Sequence, residues 1–289
     1  MPTTQDLLGQ GRRRLSALPG VNAALEARVL LRRVLGFTEM EILAFPGRIV
    51  SAADARRYLG TVDRRAARVP FAYIVGEREF WSIPLTMAPG VLIPRPETEL
   101  LVETVLLLAR GGEETIAEIG TGSGAVAVAL AKEMPAARVI ATDISRTAHF
   151  LAGRNARRHG AGNIEFRGGN LFAPLRRPSL KGRLDVLVSN PPYVSESEWR
   201  RLEPEVRDFE PKRALVPGPG GLEFIARLIA GAPEFLKPGG FLVFEIGRGQ
   251  ARAVRTLFKK PWTDVEIRKD LRGIPRAVAA RFSKTGRGV

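Results

Sequence analysis

The residues best suited to chemistry are Asn190-Pro191-Pro192-Tyr193. They follow Leu184-Asp185-Val186-Leu187-Val188-Ser189, an apolar run that reads as a strand. Each proline fixes φ and donates no backbone N–H, so a ladder cannot continue past Asn190. The residue before each proline is held extended, which leaves the Asn190 side chain and the Asn190 and Pro191 carbonyls projecting from the strand end. In an open α/β sheet, ligands bind at that end. Fixed acceptors beside a planar aromatic can grip a planar group that carries an NH2. Taken alone, the four residues serve equally well as a proline-rich turn.

Three earlier strand ends carry polar groups of their own. Glu118-Ile119-Gly120-Thr121-Gly122-Ser123-Gly124 joins a strand to a helix, and its glycines let a backbone pass close to a ligand. The loop lacks the last glycine spacing of a dinucleotide fingerprint, and no lysine follows to make a phosphate loop. By itself it is as readily a structural turn. Asp143 ends the next strand, where an acid accepts from a ribose diol or caps the following helix. Asn170-Leu171-Phe172 ends the third, where an amide and an apolar neighbour can hold an adenine edge and face, or simply form a turn. A glycine loop, an acid, an amide and Asn-Pro-Pro-Tyr in that order match the doubly wound methyltransferases that use S-adenosylmethionine.

The elements that must position these groups follow from periodicity. Residues 1–75 are helical: Leu7, Leu8, Leu15 and Leu18 mark one amphipathic segment, and Ala24, Ala27, Leu30, Leu31 and Val34 a second. Residues 40–44 form a short third, and 51–68 a fourth that Pro70 ends. Residues 76–95 predict a β-hairpin turning at Ala88-Pro89-Gly90. A helix is expected over 97–108. Beyond it strands at 115–119, 138–142, 164–166, 184–188 and 241–246 alternate with helices at 124–132, 145–158, 221–235 and 249–258. Single helices between strands imply a parallel sheet with right-handed crossovers. Strands at 265–268 and 277–282 add an antiparallel hairpin at its edge, and residues 211–221 read as a mobile loop near Asn190. The expected organisation is α/β, a doubly wound Rossmann-like sheet over 96–289, with a helical domain at 1–75 and a linking hairpin at 76–95.

Composition narrows the chemistry. The 289 residues are 45% hydrophobic and 26% charged, as in soluble globular proteins. No run approaches the ~18 apolar residues of a membrane span, and the N-terminus lacks a signal-peptide core. There is no cysteine, which excludes disulfides and thiolate chemistry and fits a cytoplasmic address. His149 and His159, the two histidines, lack metal-ligand spacing and are expected on helix surfaces. The net charge of +15 favours acidic partners, nucleic acid or protein, but it is spread over many arginine pairs rather than one stripe.

The chain resembles the HemK/PrmC family of N5-glutamine methyltransferases that modify peptide-chain release factors. Besides the four strand ends, the resemblance rests on Gly76-Glu77-Arg78-Glu79-Phe80-Trp81, Leu92-Ile93-Pro94-Arg95-Pro96-Glu97-Thr98-Glu99, Glu210-Pro211 with Ala214-Leu215, and Lys269-Asp270-Leu271. Two departures are Asn170, where the family usually has an acid, and a longer basic segment at 173–183. The resemblance implies a class I fold with S-adenosyl-L-methionine as cofactor and S-adenosyl-L-homocysteine as product. It places the cofactor on Gly120, Thr121, Gly122, Ser123, Gly124, Asp143, Asn170, Leu171 and Asn190. The substrate glutamine of a Gly-Gly-Gln motif in class I release factors falls to Asn190, Pro191, Pro192 and Tyr193, with Asn190 and Pro191 accepting the amide N–H bonds and Tyr193 stacking on its plane. No metal is called for, and a monomer is expected. Contact with nucleic acid or the ribosome is permitted by the charge but not required. The rivals are glutamine methylation of a ribosomal protein, adenine-N6 methylation of nucleic acid with the same amide grip, and a non-catalytic nucleic-acid-binding module.

Overall fold

The computed structural model describes residues 1–109 and 112–283, which divide into two compact units.

One unit comprises residues 1–77 with 203–209. Its helices are α1 (Thr4–Leu15), α2 (Ala23–Leu35), α3 (Glu39–Ala44), α4 (Ala52–Ala66) and α5 (Phe71–Val75). Thr3, Asn22, Thr38 and Ser51 each cap a helix N-terminus through the side chain, satisfying amides the helix itself leaves open. Leu7, Leu15, Leu30, Leu31, Tyr58 and Val62 form its core. Helix α5 was not foreseen: Pro70 ends the preceding stretch, yet it also serves as the N-cap residue of a new helix. The one-turn helix Pro204–Arg207 closes on this unit through Arg65. That guanidinium, almost fully buried, meets Glu26 Oε2 at 2.6 Å and Glu205 Oε1 at 2.9 Å.

The other unit holds the sheets. Strands β1 (Glu77–Phe80) and β2 (Ile83–Thr86) form the hairpin, but its turn is Trp81-Ser82, not Ala88-Pro89-Gly90. Both turn residues have positive φ, 52° and 56°. Two carboxylates hold this uncommon geometry: Trp81 N–H donates to Glu99 at 2.7 Å and the indole N–H to Glu133 at 2.8 Å. Residues 91–93, expected as a strand, are not one. Pro89-Gly90 instead turns the chain so that Val91 packs on Ala148 and Leu151.

Next come α6 (Glu99–Leu108), β3 (Thr115–Ile119), α7 (Ala125–Glu133), β4 (Arg138–Asp143), α8 (Arg146–Arg158), β5 (Ile164–Gly168) and β6 (Leu184–Ser189). Two one-turn helices follow, α9 (Glu196–Trp199) and α10, the Pro204–Arg207 turn already described. The chain ends with α11 (Glu223–Gly231), β7 (Leu236–Glu245), α12 (Ala251–Leu257), β8 (Trp262–Lys269) and β9 (Pro275–Phe282). The seven-stranded sheet runs β5-β4-β3-β6-β7-β9-β8. Strands β3 to β7 are parallel, and β9 inserts antiparallel between β7 and the edge strand β8. Apolar side chains from both faces make two cores, which is why the central strands read as near-continuous hydrophobic runs. The order reverses direction between β3 and β6, and a crevice opens at such a switch point.

Candidate active site

A cavity of about 310 Å³ lies at the carboxyl ends of β3, β4, β5 and β6. After β3 the backbone folds back on β4: Gly120 and Thr121 N–H both donate to the Thr142 carbonyl at 2.9 Å. Gly120 and Gly122 adopt φ of 79° and 57°, a region that side chains resist. Gly122 N–H donates to Asp143 Oδ2 at 2.9 Å, and Ser145 N–H to Asp143 Oδ1 at 2.8 Å. Asp143 thus ties the glycine loop to the start of α8, while Ser145 is the N-cap itself. Each Asp143 oxygen retains a lone pair for a ligand hydroxyl.

Gly120, Thr121, Gly122, Ser123, Asp143, Asn170, Leu171, Asn190 and Pro192 line the cavity. Gly124, Pro191 and Tyr193 are not in its wall. Gly124 is needed for packing, since a Cβ there would sit 3.0 Å from the Ala152 Cβ. Pro191 is buried. The Tyr193 ring packs against the core and is no wall of the cavity; its hydroxyl donates to Glu245 Oε1 at 2.8 Å. Among residues 170–172, Leu171 takes a positive φ of 50°, which turns Phe172 into the core to stack on Phe235. Neither histidine is a freely exposed helix position. His159 Nε2 meets the Pro84 carbonyl at 2.9 Å, and His149 is half-buried edge-on to Phe166.

Several residues at the site carry no local sequence signal. Asn190 Nδ2 donates to Thr98 Oγ1 at 3.0 Å, and Thr98 Oγ1 donates to Glu245 Oε2 at 2.6 Å. Burial pushes the Glu245 carboxyl above its usual range, against the hydroxyls of Thr98 and Tyr193. Glu118, also in the wall, accepts from Thr121 Oγ1 at 2.6 Å; its burial raises it to about 7, and the neighbouring Asp143 charge adds to the rise. The fully buried Asn155 accepts from Thr86 N–H and donates to the Thr86 and Ser123 carbonyls, fastening the hairpin to the glycine loop. Pro211, Arg213, Ala214, Val216 and Pro217 also border the cavity. The stretch expected to be mobile is fastened by Val194 N–H to Leu215 O at 2.9 Å and Gly220 N–H to Glu223 at 2.7 Å. Glu210 is buried and accepts from Ile93 N–H and Arg95, which fixes the Leu92 and Pro94 side of the wall. Among the described residues no cluster of His, Asp and Glu could hold a metal ion, and no helix is long and apolar enough to cross a membrane.

Residues 6–76 match the PrmC N-terminal domain, and residues 96–203 the methyltransferase small domain. A release factor glutamine methyltransferase of Nitratidesulfovibrio vulgaris strain Hildenborough is 43% identical over 283 residues, covering 96% of this chain and 95% of its own. The chain belongs to the release factor glutamine methyltransferase family. A relative of that name from Moorella thermoacetica is 44% identical over 257 residues, covering 88% of this chain and 89% of its own. The fold agrees with a methyltransferase of Pyrococcus furiosus, 21% identical, with a TM-score of 0.53 over 76% of this chain and 98% of that one. The sheet of this methyltransferase is therefore of the class I type.

Proposed function

We propose that this methyltransferase moves the methyl group of S-adenosylmethionine to the side-chain amide nitrogen of the Gly-Gly-Gln glutamine of class I release factors. The observation that carries the reading is Asn190. Its side chain stands in the cavity wall with the NH2 already committed to Thr98, which leaves the amide oxygen for a ligand.

The residues present fit the cofactor. A cavity of about 310 Å³ is within the usual range for small-molecule sites. Asp143 offers acceptors for a ribose diol, and Glu118 a carboxylate for the amino-acid end. Gly120 and Gly122 keep side chains out of the way. Ile144 and Leu171 supply apolar faces for the base, with Asn170 beside them. When bound, the cofactor supplies a methyl on a sulfonium, an electrophile that needs no further activation.

The chain's own work is on the nucleophile. An amide nitrogen is weak because its lone pair is delocalised into the carbonyl. Asn190 Oδ1, in the cavity wall, accepts an N–H bond from it and turns that lone pair toward the methyl. This pull grows as positive charge builds on nitrogen, so it favours the transition state over the ground state. Holding the reacting groups in line contributes up to about 7–11 kcal/mol. No histidine lines the cavity, and the proton leaves to water after transfer. Residues 1–75, whose surface presents Met40, Leu43 and Phe45 among many arginines, dock the body of the release factor. The site of this work is the cytoplasm, where release factors act.

The test is incubation of the full-length protein with a release factor and isotopically labelled cofactor, followed by peptide mass spectrometry. One methyl on the Gly-Gly-Gln glutamine is expected. Label on another residue, or on nucleic acid alone, would overturn the reading.

A further inference from the structure

A run of hydrogen bonds with one direction lies behind Asn190. Glu245, 2% exposed at the end of β7, places Oε2 at 2.6 Å from Thr98 Oγ1 and Oε1 at 2.8 Å from the Tyr193 hydroxyl. Both Glu245 oxygens accept in these bonds, Oε2 from the Thr98 hydroxyl and Oε1 from the Tyr193 hydroxyl. The single Thr98 proton is therefore spent on Glu245, and Thr98 Oγ1 can only accept from its other neighbour. The Asn190 atom 3.0 Å away must then be Nδ2. Since the amide is planar, Oδ1 is fixed on the opposite side. Burial raises the Glu245 carboxyl, and the Thr98 and Tyr193 hydroxyls and, after them, Arg276 oppose that rise; Arg276 is itself held 3.3 Å from Asp270.

We propose that Glu245 and Thr98 are positioning residues that set the hydrogen-bonding polarity of Asn190, so that the site accepts an amide N–H and disfavours a group that has only acceptors. The inference rests on the glutamine reading and adds to it a determinant of amide over carboxylate. Without the relay, the Asn190 amide can rotate by half a turn and present NH2 to the substrate. That arrangement offers no acceptor to the nucleophile.

The test is a mutant cycle on the full-length enzyme, with labelled cofactor and a release factor as substrate. Thr98→Val removes the relay hydroxyl, Thr98→Ser restores it, and each is made alone and with Asn190→Ala. Thr98→Val should lower kcat by roughly tenfold to a hundredfold while cofactor affinity stays within about threefold. Thr98→Ser should return to within about threefold of the parent, and Thr98→Val should add less than about twofold to Asn190→Ala, because both act through one group. Thr98→Val also leaves Glu245 buried with one donor fewer. If that variant does not fold, Thr98→Val/Glu245→Leu removes the stranded carboxyl as well and carries the same comparison. Parental turnover in Thr98→Val or in the double variant would overturn the proposal, as would a full additional loss in the Asn190→Ala background. The parent enzyme separates the two readings. Failure of the parent to methylate the glutamine removes the substrate reading and this inference with it. A parent that methylates while Thr98→Val keeps its rate removes this inference alone.

Discussion

Glu118 is the site residue whose replacement has the most calculable effect. It is 2% exposed, its one side-chain partner is the Thr121 hydroxyl, and burial lifts it from 4.5 to about 7. Because the folded-state value lies above the unfolded one, this group's contribution to stability is full below about pH 4.5. It is lost as pH rises through about 7. A gap of about 2.5 between those values corresponds to roughly 3 kcal/mol at pH 8, and to less than about 1 kcal/mol at pH 5. Glu118→Gln keeps an acceptor for Thr121 and cannot ionise. Its stability relative to the parent should therefore rise by about 2–3 kcal/mol between pH 5 and pH 8. Urea unfolding of both proteins without cofactor, at several pH values, measures this. Other titrating groups cancel in the difference. Parallel stability profiles would refute the buried, proton-holding state of Glu118. The same carboxyl must lose its proton to pair with a cationic ligand, so cofactor affinity of the parent should climb as pH approaches 7 from below. In Glu118→Gln that slope should be absent.

Two further outcomes follow from named contacts. Asp143→Ala removes acceptors for a ribose diol and should weaken cofactor binding by about 1.5–3 kcal/mol per bond lost, read by calorimetry; unchanged affinity would leave Asp143 only the Gly122 and Ser145 bonds. Arg65→Met strands Glu26 and Glu205 and should destabilise the helical unit by about 3–5 kcal/mol, seen as an early unfolding step in a denaturant titration. An unfolding curve superimposable on the parent's would show that the buried guanidinium contributes no net stability.

How much the sequence revealed depended on how local each signal was. Strands β3, β4 and β6 were legible because both faces are buried and each run ends at glycine, acid or proline. The order of polar strand ends was legible for the same reason. The hairpin turn was misplaced because Pro89-Gly90 is the stronger local signal. What holds Trp81-Ser82 at positive φ is a pair of acids 18 and 52 residues away from Trp81. Thr98 and Glu245 were invisible as partners of Asn190, since the relay spans separations of 92 and 147 residues. Asn155 is the same case: a buried amide in a helix carries no mark of the hairpin and loop it joins. Gly124 and Tyr193 show the converse. Their places in a motif were plain, but the packing on Ala152 and the bond to Glu245 were not.

The central claim is that the Asn190 oxygen acts on the substrate amide during transfer and not on cofactor binding. Asn190→Ala tests it most directly, with cofactor affinity by calorimetry and single-turnover methylation of a release factor measured on the same preparation. Affinity within about threefold of the parent, with transfer slower by roughly two orders of magnitude or more, is the predicted result. Transfer at the parental rate in a protein that binds cofactor normally would contradict it.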